Sequence, residues 1–147
     1  MYQVIVEDKE VQAMLDRLLA RTGDLSDPME DIARLLANET EQAFLEERSP
    51  FGGDWLPLKS GRQGKILQDS GQLAASIDAS SGRDYAELTA GKVYAAIHQF
   101  GGQAGRGRRT TIPARPFMPI DEAGQLPDDT QSEIISILDE FMQEVGN

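Results

Sequence analysis

Ser76-Ile77-Asp78-Ala79-Ser80-Ser81-Gly82-Arg83-Asp84-Tyr85-Ala86-Glu87-Leu88-Thr89-Ala90 carries two short strand-like runs around a Gly-Arg-Asp turn. Residues 76–81 and 85–90 read as the two arms of a β-hairpin. Helical patterns lie on both sides of it. The expected fold class is therefore α+β: a single domain with two N-terminal helices, a small antiparallel sheet with this hairpin, a short central helix and a C-terminal helix.

Moving toward the N-terminus, Lys65-Ile66-Leu67-Gln68-Asp69-Ser70-Gly71-Gln72-Leu73 leads into the hairpin, and Ser70 is placed to cap a short helical turn. Residues 49–64 are rich in Gly and Pro and read as a long irregular segment. Phe51, Trp55, Leu56 and Leu58 within it call for burial. Before it, Met29, Ile32, Leu36, Ala43 and Phe44 recur at helical spacing, with Ser26 or Asp27 as cap and Pro28 in the first turn. Glu39, Glu41, Glu46 and Glu47 fall mostly on the outer side of that helix. Proline at position 50 ends it. A first helix runs from an Asp8 cap to about Arg21, with Val11, Leu15, Leu18 and Leu19 on one face, Met14 beside them and Thr22-Gly23-Asp24 as its stop. Tyr2 to Val6 alternates as a strand.

Moving toward the C-terminus, residues 93–100 are apolar at helical spacing, and Gly101-Gly102 stops them. Residues 103–110 form a Gly/Arg stretch expected to be a mobile loop. Residues 112–120 are extended and punctuated by Pro113, Pro116 and Pro119. Asp128 or Asp129 opens a last helix whose face carries Ile134, Ile137, Leu138, Phe141, Met142 and Val145.

The 147 residues suit one domain, and no internal repeat or second domain is visible. Cysteine is absent, which removes disulfides and thiolate chemistry and fits a reducing compartment. No apolar run approaches the roughly 20 residues of a membrane span, so no membrane is expected. Met1-Tyr2-Gln3-Val4-Ile5-Val6 does not read as a signal peptide. The net charge of −11 is unevenly placed. Residues 48–115 hold ten Lys and Arg against five Asp and Glu, a local +5; the remainder holds four against twenty, −16. Acidic ends and a basic middle can present complementary surfaces to copies of the chain, or the acidic helices simply have solvated faces.

Candidate catalysts are few. His98 is the one histidine, so no multi-histidine metal site can form. Its neighbours Tyr94, Ala95, Ala96, Ile97 and Phe100 suit packing, and it reads as a structural histidine, hydrogen-bonded at a packed helix end. Ser70 lacks the glycine spacing of a nucleophile elbow and reads as a cap. Glu39 and Glu46, like Asp121 and Glu122, read as surface charges. The Gly-rich pieces lack the endings of phosphate-binding loops. Neither catalysis nor a cofactor is expected. Arg106, Arg108 and Arg109, with Arg115 nearby, form the concentrated basic feature. They could contact phosphates, meet an acidic face of a neighbouring subunit, or lie solvated.

Four segments in order carry a resemblance. They are Pro50-Phe51-Gly52-Gly53-Asp54-Trp55-Leu56-Pro57-Leu58; Lys65 to Ile77, with Leu67, Gly71 and Leu73; Tyr94-Ala95-Ala96-Ile97-His98-Gln99-Phe100-Gly101-Gly102; and Ile112-Pro113-Ala114-Arg115-Pro116-Phe117. In this order the chain resembles the phage virion morphogenesis family, which includes P2-like tail-completion and Mu-like tail-assembly proteins. The Gly/Arg loop and Ala123-Gly124-Gln125-Leu126-Pro127 depart from the family pattern. The resemblance implies an α+β subunit of a phage or prophage with a structural or assembly role at the tail or head–tail junction. It further implies a homo-oligomeric ring, a hexamer as at a tail terminus, with other tail or neck proteins as partners. The implied location is the bacterial cytoplasm during assembly and then the virion. Nucleic-acid contact through Arg106, Arg108, Arg109 and Arg115 is the alternative. The motifs also have a physical reading. Trp55 anchors the returning chain by burial. Tyr94, Ile97, His98 and Phe100 make one packed helix face. Pro113 and Pro116 hold Arg115 in place for a bidentate partner within the subunit or across an interface.

Overall fold

The computed structural model describes residues 2–3, 9–58, 64, 66–67, 71–92 and 94–146. Helix α1 (Lys9–Thr22) buries Met14 and Leu18, with Val11, Leu15 and Leu19 packed beside them. It stops where Gly23 takes a left-handed φ of 71° and its N–H returns to the Leu19 carbonyl at 2.8 Å. The Asp8 cap and strand residues 4–6 expected from the sequence lie outside the described residues.

Helix α2 (Ser26–Glu46) begins one residue earlier than a Ser26 or Asp27 cap allows. Asp24 is the reason. Its carboxylate accepts the Ser26 N–H at 2.9 Å and the Ser26 hydroxyl, so that hydroxyl is committed backwards and Leu25 takes the cap position. Leu25 itself is buried in the core between α1 and the C-terminal helix. At its other end α2 closes on Glu47, left-handed at φ 52°, and the chain folds back through residues 48–54. The Ser49 N–H reaches the Gly53 carbonyl at 3.0 Å and the Trp55 N–H reaches the Glu47 carbonyl at 2.8 Å, which sets Trp55 against the end of α2. Trp55 is buried, but Phe51 is 43% and Leu56 58% exposed, against the expectation that all four apolar residues of this segment are covered. The loop is too tight for each apolar side chain to face inward, and apolar surface outside a core is ordinary.

A short helix α3 (Gln72–Ala75) follows Gly71, whose φ is 71°; the expected Ser70 cap lies outside the described residues. Strands β2 (Ile77–Ser81) and β3 (Ala86–Ala90) form the expected hairpin, in register Ser81↔Ala86 to Ile77↔Ala90. Strand β1 (Tyr2–Gln3) adds to β3, giving the antiparallel order β1-β3-β2. Helix α4 (Ala95–Phe100) ends at Gly101. Strands β4 (Gly102–Ala104) and β5 (Thr110–Ile112) then pair antiparallel around a single 3-10 turn, Arg106–Arg108. The Gly/Arg composition announces no strands here; the pairing is made by backbone, with Gly102, Gly105, Gly107 and Arg108 all at positive φ. Helix α5 (Asp128–Val145) closes the fold.

Two apolar clusters result. One joins Ala43, Phe44, Trp55, Leu73, Leu88, Ala90, Ala95 and Phe117 between α2, the sheet and α4. The other joins α1, the first half of α2 and α5. Glu39 departs from the outward face expected of it. It follows Ile32 and Leu36 along the inward stripe of α2, and its two carboxylate oxygens lie 2.9 and 2.7 Å from the Thr130 hydroxyl of α5. Among the described residues no helix is long and apolar enough to cross a membrane.

Candidate assembly interface

Gln99 is the residue on which the site is built. Helix α4 turns Ala95 and Gln99, one turn apart, to the interior, and Gln99 is 1% exposed. A buried primary amide needs two acceptors and two donors. Segment 117–120 supplies them. Gln99 Nε2 donates to the Met118 carbonyl at 2.9 Å and the Ile120 carbonyl at 3.0 Å. Its Oε1 accepts the Phe117 N–H at 3.0 Å and the Met118 N–H at 2.9 Å. One side chain thus replaces a strand partner for a segment that Pro116 and Pro119 bar from regular pairing. Gln99 had no role in the sequence reading. The signal that marks it is a polar residue on the same helical stripe as a buried alanine.

Around Gln99 the structure gathers most of the motif residues. Trp55 Nε1 donates to the Pro116 carbonyl at 2.7 Å, and its ring meets Phe44 edge-on at 5.6 Å between centroids. Phe44 also packs on Phe117, which is fully buried. Arg115 donates from Nε to the Leu56 carbonyl and from an Nη to the Pro57 carbonyl, both at 2.9 Å. Its backbone N–H reaches the His98 carbonyl at 2.8 Å. The guanidinium therefore staples segment 113–116 to the loop after Trp55. At Gly101 a side chain has no room, since a Cβ would lie 2.8 Å from the Ala114 nitrogen. Leu67 and Leu73 belong to the same apolar cluster, whereas Gly71 stands apart at the start of α3. Pro113 is half-buried, and Gly102 opens β4.

His98 sits at the edge of this knot with its ring edge-on to Tyr94 at 5.7 Å. The hydrogen bond expected of it is not made: Nδ1 is buried without a partner among the described residues. Packing against Tyr94 covers the ring, and no described donor or acceptor is placed on Nδ1. Burial first, and the Arg115 charge second, hold its pKa below the ordinary 6.5, so the imidazole is neutral at physiological pH. Among the described residues no carboxylate orients it as the partner of a general base would. Ser70 lies outside the described residues. Among those residues no group of His, Asp and Glu could hold a metal ion.

The four arginines separate. Arg115 is held on carbonyls of its own subunit, while Arg106, Arg108 and Arg109 are exposed at the tip of the β4–β5 arm. Opposite in charge is a cleft of about 430 Å³ where the end of α2 meets the start of α5, lined by Glu39, Glu46, Asp129 and Glu133 against one cation, Arg48, beside Phe51. Burial pushes the Glu39 carboxyl above its ordinary 4.5; the Thr130 hydrogen bond opposes this, and the charges of Glu133 and Asp129 add to it.

The model of the phage virion morphogenesis family matches residues 6–143. The chain is 41% identical over 123 residues to Mu-like prophage FluMu G protein 2 of Haemophilus influenzae, covering 82% of this chain and 86% of that protein. It is 37% identical over 134 residues to the putative capsid assembly protein G of Escherichia phage Mu, covering 83% and 85%. No solved structure matches at a significant level. With a match running nearly end to end and relatives aligned across most of both chains, this chain belongs to the phage virion morphogenesis family.

Proposed function

We propose that this protein is a structural assembly subunit of a phage or prophage, working at the tail or the head–tail junction by self-association and by docking onto other virion proteins, and not by catalysis. The observation that carries the proposal is the Arg106–Arg108 arm. It is a regular hairpin whose tip is fully exposed and whose strands, among the described elements, pack chiefly on each other. Isolated two-stranded hairpins are marginal in water, so such an arm gains most from a surface on another molecule. The family and the printed name of the phage Mu relative, a putative capsid assembly protein, support a part in building the particle. Around the Gln99 knot the polar groups are spent on holding the chain, and among the described residues no nucleophile–base pair is left over.

Deleting the gene from an inducible phage and viewing the lysate by electron microscopy tests the role. Filled heads without joined tails are the expected result. Intact, infectious particles would refute it. A second reading, nucleic-acid contact through the same three arginines, predicts DNA binding that weakens steeply with salt. The net charge of −11 opposes it for the free chain.

A further inference from the structure

We infer that the arginine-tipped arm of one subunit docks into the acidic cleft beside Phe51 of a second copy, making a head-to-tail interface. This rests on the self-association reading above and names its two faces. Three observations on different parts of the molecule converge. First, the ion pairs among the described residues are those of Arg34 with Glu30 and Asp31, so Arg106, Arg108 and Arg109 have no acidic partner among those residues. Second, the cleft is concave and lined by Glu39, Glu46, Asp129 and Glu133 against the single cation Arg48, and no residue of the arm lines it, so it keeps an excess of negative charge. Burial is the main cause of the raised Glu39 pKa, and the charges of Glu133 and Asp129 add to it in the same direction. Third, Phe51 lies in the same cleft with 43% of its surface exposed, an aromatic face of the kind on which a guanidinium stacks. Arginine at an interface can combine a carboxylate fork with such stacking.

The two faces are different patches of one chain. Exchanged reciprocally they would close a two-fold dimer; engaged head to tail, as inferred here, they propagate from copy to copy and end in a closed ring or an open filament.

A charge-swap series followed by size-exclusion chromatography with light scattering tests the inference, with circular dichroism as the check on folding. One variant reverses the arm (Arg106→Glu, Arg108→Glu, Arg109→Glu). A second reverses the cleft (Glu46→Lys, Asp129→Lys, Glu133→Lys). Each alone is expected to weaken self-association at least about tenfold, since attraction between several charges becomes repulsion. Mixing the two variants, or combining them in one chain, is expected to restore assembly. A wild-type oligomer that neither variant weakens overturns the inference and leaves the assembly role standing. Two weak variants that fail to rescue each other overturn the pairing of these faces. A wild-type chain that stays monomeric at high concentration and low salt overturns both the inference and the self-association reading. If the arm variant instead abolishes binding to a labelled double-stranded oligonucleotide and leaves the oligomer intact, the arm serves nucleic acid and the inference falls.

Discussion

Residues 116–120 and residues 102–112 adjoin each other and are held in opposite ways. The first segment has no regular structure, yet it is largely buried and its backbone groups are taken up by Gln99 and Trp55. The second is a hairpin with regular pairing, yet its tip is exposed from Gly105 to Thr111. Regularity and fixity are therefore separate properties in this molecule. Irregular backbone is held where a buried side chain can imitate a strand; regular backbone stands clear where it has only itself to pair with. The first arrangement sets the shape of the chain, and the second leaves a regular hairpin facing solvent.

Substitutions measure that contrast. The largest effect is expected at Gln99. Gln99→Leu fits the volume and removes both donors and both acceptors, leaving backbone groups of residues 117, 118 and 120 buried and unpaired. A loss of about 3 kcal/mol or more is expected, seen as a Tm lower by roughly 10 °C in a thermal melt. A shift of only a degree or two would mean that burial of Phe117 and Met118 alone fixes the segment. Gly101→Ala comes next at about 2 kcal/mol, because the methyl meets the Ala114 backbone and the φ of 75° is strained for any other residue. Urea unfolding of this variant reads it directly. Arg115→Lys should cost about 1 kcal/mol, since an ammonium cannot span the two carbonyls that the guanidinium forks.

A pH titration probes the flaw in the knot. His98 has a lowered pKa in the folded chain, so between that value and 6.5 the unfolded chain binds more protons. Stability is full above 6.5 and declines as pH falls through this window. His98→Asn should flatten that part of the profile, and an unchanged slope would assign it to other groups. The smallest effect is expected for the triple change of Arg106, Arg108 and Arg109 to Ala. The monomer's melting should move by no more than about 0.5 kcal/mol. A loss comparable to that of Arg115→Lys would show that the arm is part of the fold, and the contrast would collapse.

Much of the scaffold was legible because it depends on periodicity. The apolar stripes of α1, α2 and α5 and the hairpin of β2 and β3 need only the spacing of Leu18, Ile32, Leu138 and Leu88 to be found. What escaped depends on contacts remote in sequence. Gln99 reads as one polar residue among apolar ones, and only the folded chain brings residues 117–120 to it. Glu39 looks like its acidic neighbours until α5 places Thr130 opposite. Ser26 has the chemistry of a cap, but Asp24, two residues earlier, takes its hydroxyl. The β4–β5 arm was invisible for a different reason: its pairing relies on positive φ at Gly102, Gly105, Gly107 and Arg108, and its side chains declare no buried face. The arginines themselves were easy to see. Their division into a stapled Arg115 and an exposed trio was not, because proximity along the chain says nothing about which carbonyls a guanidinium finds.

The Gln99 clamp also has a topological meaning. It binds residue 99 to residues 117–120, so the chain between them is an excursion whose two ends are pinned together. The entropic cost of closing such an excursion grows only slowly with its length. Insertions, deletions or a wholly different tip can therefore be exchanged beyond the clamp while the body keeps its shape, and even a cleavage after Arg106 would leave both halves tied at its root. The clamp makes the arm a replaceable module, able to change its sequence without asking the rest of the molecule to refold.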